Sequence, residues 1–147
     1  MQAKAEMAAQ EAIRLDPRYA GGYASLADVR SLSGKWAEAE DLFRQAFALD
    51  ANDPDALNRY YVMLIVEGRL KESLAFAERV RMLEPLVPVY QRNFAGALQT
   101  NGQNQASIPI LESIAAGYYR DVYLARAYAA AGDYAKSADT LLGITGN

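Results

Sequence analysis

The residue types on which most enzyme chemistry depends are missing from this sequence, whose 147 residues include no Cys and no His. Without them there is no thiolate to attack a carbonyl or bind zinc, and no imidazole to shuttle a proton near neutral pH or activate a serine. Carboxylates, Lys, Tyr and Ser remain, and they form no nucleophile–base pair, no glycine-rich phosphate loop and no ligand set at metal spacing. The densest acidic group, Glu38, Glu40 and Asp41, falls in the first turns of an expected helix, where negative charge complements the helix dipole. It reads as a solvated face, not as a pair of catalytic carboxylates. No catalytic residue, metal or cofactor is therefore expected.

Side chains suited to holding another molecule do recur: Asn58 with Arg59, Arg92 with Asn93, and then Arg126. Arg presents a planar donor fork that matches a carboxylate, and Asn offers both a donor and an acceptor to a peptide backbone. Tyr119 and Tyr123 would add apolar contact area beside them. Together the seven residues suit an acidic or C-terminal peptide segment, although Arg and Asn are also what an ordinary wet helix face carries.

The elements that must position these residues follow from self-comparison. Gly34, Gly68 and Gly102 are spaced by 34 residues, and Gly132 follows after 30. Eight residues before each glycine stand Leu26, Tyr60, Phe94 and Leu124, and four before stand Arg30, Leu64, Leu98 and Tyr128. That i, i+4 stripe, broken only by Arg30, is the buried face of a first helix. Five residues after each glycine comes a small residue, Ala39, Ser73, Ser107 or Ser137. Further on, Phe43 with Ala46, Ala77 with Val80, Leu111 with Ile114 and Leu141 with Ile144 make the buried face of a second helix. Each glycine is placed to close the first helix in a left-handed conformation, and Pro17, Pro85 and Asp53-Pro54 break the chain at the far end of the second. Tyr23, Tyr60, Tyr128 and Tyr134 fall on packing positions and are expected in the core. Asn58, Arg59, Arg92, Asn93, Tyr123 and Arg126 are expected off the buried stripe, as are Ala24 and Gly96.

Between Ala20 and Ala51, the residues Tyr23, Leu26, Ala27, Gly34, Trp36, Ala39, Phe43, Ala46 and Leu49 resemble the pattern of the tetratricopeptide repeat (TPR) family, whose unit is ~34 residues. Arg30 replaces the usual aromatic there and Ala51 the usual proline. The resemblance implies an all-α fold, a right-handed α-α superhelix or TPR-like solenoid of about nine antiparallel helices. It implies a single array over 1–147: the second helix of a truncated repeat at 1–17, then repeats at about 20–53, 54–87, 88–117 and 118–147. The unit containing Pro109 departs from the pattern. A proline inside a helix costs roughly 3 kcal/mol, so that second helix is expected to begin late, near Ser107, or to kink.

In the family the first helices line a concave groove, which implies a non-catalytic scaffold with a protein or peptide partner. Some chaperone-binding relatives grip a terminal carboxylate with Lys, Asn and Arg, and the unit from Ala20 has neither Lys nor Asn at those positions, so that specificity does not transfer. A net charge of −3 lacks the basic excess needed to neutralise phosphates, so nucleic acid is not an expected partner. Apolar runs such as Tyr60 to Val66 fall far short of the ~18 residues of a membrane span. The segment Met1 to Leu15 reads as an amphipathic helix without the apolar core of a signal peptide. No membrane partner is expected, and a cytoplasmic setting is the default. An alternative function is self-assembly into a homo-oligomer, since Ala5, Ala9, Ala12 and Ile13 present a face suited to a preceding first helix, and Leu141, Leu142 and Ile144 lack a polar cap. A third, implied by the resemblance, is a regulatory appendage of a larger bacterial enzyme or regulator.

Overall fold

The structure, a computed structural model, describes residues 2–145, and among them there are nine helices and no strand. They are α1 (Gln2–Leu15), α2 (Ala20–Leu32), α3 (Trp36–Leu49), α4 (Pro54–Val66), α5 (Leu70–Leu83), α6 (Pro88–Thr100), α7 (Asn104–Glu112), α8 (Tyr118–Ala130) and α9 (Tyr134–Thr145). The all-α expectation holds. Packing divides the chain into two compact units, Met1–Arg69 with α1 to α4 and Leu70–Asn147 with α5 to α9, and each is described by itself.

The turn after a first helix has one construction throughout. Gly34 has φ +73°, and Gly68, Gly102 and Gly132 have φ +77°, +78° and +84°, a region that costs an L-residue about 1–2 kcal/mol. The reversal lets the next amide donate back across the helix end: Lys35 N–H to the Arg30 carbonyl at 2.9 Å, and Gln103 N–H to the Leu98 carbonyl at 2.8 Å. Carbonyls that a helix end leaves orphaned are thereby satisfied. At the start of α4, Asp53 accepts from the Ala56 amide at 2.9 Å, and Pro54 occupies the first turn, where its missing N–H costs nothing.

In the first unit the second-helix stripe Ala39, Phe43 and Ala46 is buried, as are Leu26 and Ala27 of α2 and Leu57, Tyr60 and Leu64 of α4. The Phe43 and Tyr60 ring centroids lie 5.1 Å apart. Arg30, the odd member of the first-helix stripe, reaches Glu6 of α1 at 2.7 Å and Glu38 of α3 at 3.0 Å, so an ion-pair bridge across three helices takes the place of the aromatic. Its guanidinium holds the Glu6 carboxyl below the usual range. Ala9 is buried, and Ile13 approaches α2 so closely that a Cβ on Gly22 would lie 3.0 Å from its Cγ1. The face of α1 expected to stand open at Ala9 and Ile13 is therefore packed on α2, while Ala5 is exposed.

In the second unit Ala95, Leu111, Leu124 and Tyr128 form a buried cluster, with Ile108, Ile110, Ile114 and Tyr123 packed against it. The small positions Ser73, Ser107 and Ser137 are buried as expected. Gln99, also buried, donates to the Ser107 hydroxyl at 3.1 Å and to the Tyr123 carbonyl at 2.8 Å, tying α6 to α7 and α8. Three expectations need correction. The helix carrying Pro109 starts at Asn104, not near Ser107, and runs through the proline for only nine residues; its first turns form before the ring can interfere, and it ends soon after. Tyr134 is 72% exposed and is not core, and Tyr23 is only half-buried, its hydroxyl donating to the Pro17 carbonyl.

Tyr60 and Tyr128 are core residues with their hydroxyls on carboxylates. Tyr60 donates to Glu40 at 2.6 Å beside Arg69, and its phenol is pushed up to about 12 by burial and then by Glu40. Tyr128 donates to Glu112, and that hydrogen bond, followed by burial, pushes its phenol up to about 12.

Candidate functional site

The seven candidate residues fall into both units. In the first, Asn58 and Arg59 stand half-buried on α4, and Arg59 Nη1 lies 2.8 Å from Asp28 Oδ2 of α2. The pair edges a cavity of about 300 Å³ floored by small residues, among them Ala8, Ala12, Gly22 and Ser25. Asp28 already engages one nitrogen of the Arg59 guanidinium, which a ligand carboxylate would have to share or displace. Ala24, expected off the buried stripe, is buried.

In the second unit Arg92 and Asn93 stand on α6 and Tyr119, Tyr123 and Arg126 on α8. Arg92 lies over the Tyr119 ring at 5.2 Å and Arg126 over the Tyr123 ring at 5.6 Å, contacts worth about 0.5–1 kcal/mol each at exposed sites. The Arg92 Nη2 is 3.4 Å from Asn93 Oδ1. Tyr123 is half-buried, because its ring fills the space above Gly96, where a Cβ would come 2.8 Å from Tyr123 Cε1. Gly96 is thus buried rather than groove-facing. Among the described residues neither Arg92 nor Arg126 has a carboxylate within ion-pair distance. Arg14, Arg30, Arg44, Arg59, Arg69 and Arg120 each have one.

Counting positions from the glycines did not reveal Tyr118, whose ring stands edge-on to Tyr119 with centroids 5.4 Å apart. With Pro88, Val89, Arg92, Ile114 and Tyr119 it lines a cavity of about 190 Å³. The signals in the sequence are the doublet Tyr118-Tyr119 inside the 30-residue spacing and the register Tyr118 shares with Pro54 and Pro88 relative to their glycines. Among the described residues no group of three or more Asp or Glu is arranged to hold a metal ion, and no helix is long and apolar enough to cross a membrane.

No family model and no curated protein matches the sequence. Solved structures do match the fold. A PilF structure from Pseudomonas aeruginosa superposes with a TM-score of 0.81 at 18% identity over 95% of this chain. The chain spans 65% of that protein's length. TPR-like repeats of a putative kinesin light chain from Podospora anserina match with a TM-score of 0.75 at 19% identity, covering 96% of this chain and 84% of that one. YrrB, described as a TPR protein with an unusual peptide-binding site, matches with a TM-score of 0.73 at 18% identity, covering 95% and 74%. The fold is a TPR-type helical repeat.

Proposed function

We propose that this chain is a non-catalytic scaffold that holds an acidic or C-terminal peptide segment, principally on the α6–α8 surface of the second unit, through Arg92, Asn93, Tyr119, Tyr123 and Arg126. Asn58 and Arg59 of the first unit form a secondary contact, since Arg59 is already engaged by Asp28. The helices are read as repeats at about 20–53, 54–87, 88–117 and 118–147 after a second helix at 1–17. The observation that carries the reading is that Arg92 and Arg126 are held over tyrosine rings with no carboxylate of their own to satisfy them. Pre-ordered cations without an internal carboxylate favour an external one. The peptide-binding site named for YrrB supports the same use of the fold.

The test is calorimetric titration with a panel of short peptides differing in acidic content and in a free or amidated C-terminus. Arg92→Ala and Arg126→Ala are each expected to weaken the best binder by about 1.5–3 kcal/mol, with the effect shrinking as salt rises. Arg44→Ala, on α3 and paired to Asp41, is expected to change nothing. Equal losses at all three sites, or none, would refute the assignment. A second reading, self-association, is favoured by the apolar exposure of α9, where Tyr134, Leu141 and Leu142 are 72%, 47% and 67% exposed.

A further inference from the structure

Every polar side chain lining the cavity between the starts of α6 and α8 is a hydrogen-bond donor or a phenol. Arg92 stands at one wall, the Tyr118 and Tyr119 rings form another, and Pro88, Val89 and Ile114 supply the apolar remainder. Among the described residues no carboxylate and no carboxamide lines it. Arg120, at the edge, is held by Asp121 at 2.7 Å, leaving the Arg92 guanidinium as the one cation there without a carboxylate. Both tyrosines are 64% exposed and set edge to face, 81° between their planes. Two exposed aromatic rings, one of them with Arg92 over it, thus stand nearly at right angles beside the cavity.

A lining of donors and apolar faces is complementary to a ligand that offers acceptors and apolar rings but few donors. Among peptide segments the proline-rich one fits that description best. Each proline lacks an N–H, its carbonyl projects outward from the left-handed extended helix, and its ring packs flat on an aromatic face. Such a segment is already stiff when free, so it loses little entropy on docking. At about 190 Å³ the cavity is smaller than a typical small-molecule site of roughly 300–1,000 Å³, and suits a ring or two of a chain that continues past it. We propose that this cavity is a docking site for a proline-rich segment in the polyproline-II conformation, with prolyl rings on Tyr118 and Tyr119 and a neighbouring acidic side chain on Arg92. The inference deepens the proposed acidic-peptide reading and rests on it for the role of Arg92.

The experiment uses the full chain and three synthetic probes: consecutive prolines interrupted by one aspartate, the same peptide with its prolines changed to alanine, and the same peptide with asparagine for aspartate. Affinities are measured by calorimetry and the binding site by chemical-shift perturbation of the tyrosine rings. The first peptide is expected to bind, and Tyr118→Ala and Tyr119→Ala are each expected to weaken it about tenfold. Tyr134→Ala, exposed on α9, is expected to leave it unchanged. The asparagine peptide is expected to bind more weakly to the native chain and to lose no further affinity with Arg92→Ala. If the alanine peptide binds as well as the proline peptide and still depends on Arg92, the polyproline inference is overturned while the acidic-peptide reading stands. If the proline peptides bind but Arg92→Ala does not discriminate aspartate from asparagine, the acidic reading falls at this site and only the aromatic docking survives. Absence of binding by both proline peptides overturns the inference.

Discussion

At the scale of single residues, charge in this protein is arranged by what sits opposite it. By distance from the glycines, Arg30 is the irregular member of the buried stripe and Arg59 a groove residue. Each has a carboxylate waiting on another helix, Glu6 and Glu38 for Arg30 and Asp28 for Arg59. Asp28 stands six residues before its glycine and Arg59 nine before the next, so the pairing joins different positions of neighbouring units and is not visible in any one unit alone. The buried phenols make a separate, titratable case. Tyr60 and Tyr128 have pKa values pushed up to about 12, above the ~10 of an unfolded chain. Their contribution is therefore fully present below pH ~10 and is lost as pH rises from ~10 to ~12, where the unfolded chain releases protons that the folded one retains. Thermal midpoints recorded across that range are expected to fall with pH more steeply for the native chain than for Tyr60→Phe/Tyr128→Phe, although the double variant starts lower for want of two hydrogen bonds. Parallel declines would show that the two phenols titrate alike in both states. The choice of phenylalanine keeps ring volume, so packing against Phe43 is preserved in the comparison.

The helices themselves behave as their spacing predicts, except where local chemistry and repeat register disagree. Pro109 is the sharpest instance: α7 carries it as its sixth residue and still forms from Asn104 to Glu112. The register of Ser107 and Leu111, both fully buried, outweighs the missing donor and the clash at the Gln105 carbonyl. That cost shows as length, nine residues against 14 in α3 and α5. Pro109→Ala restores the backbone hydrogen bond at an exposed position and is expected to stabilise the chain by up to about 3 kcal/mol, read as a higher denaturation midpoint with more helical ellipticity. A lower midpoint would mean that the proline is fitted to its surroundings. The short α7 also explains what sequence periodicity hid at the candidate site. Glycine spacing located Arg92, Tyr123 and Arg126 because they sit at fixed distances inside regular helices. Tyr118, Ile114 and Pro88 line the neighbouring cavity from helix starts and from the turn after α7; Ile114 holds a second-helix stripe position in the pattern, but α7 ends at Glu112 and leaves it in the turn. Tyr134 departs for the opposite reason: it holds a packing position in the pattern but stands 72% exposed at the start of α9.

Over the whole molecule, repeat stacking makes each helix depend on a neighbour to cover its apolar face, and α9 is where that cover is thinnest. Tyr134, Leu141 and Leu142 are spaced seven and eight residues apart, one side of a helix, and all three are exposed. The contrast with α1 is instructive, because Ala9 and Ile13 turn out to be packed on α2 and so leave less to bury. If association occurs, it should therefore use α9 and not the Ala9–Ile13 face. The net charge of only −3 offers little repulsion against a second copy. Sedimentation velocity over a range of concentrations is expected to show the native chain growing heavier, and Leu141→Glu/Leu142→Glu remaining monomeric with a thermal midpoint lowered only slightly, since Leu141 and Leu142 are 47% and 67% exposed. Ile13→Glu is expected to act differently. It sets a carboxylate against the α2 backbone at Gly22, lowering the midpoint by about 1–3 kcal/mol in stability while leaving the concentration dependence intact. A native chain that stays monomeric throughout would leave α9 as exposed apolar surface with no self-association to account for it, whereas association abolished by Ile13→Glu alone would return the interface to α1.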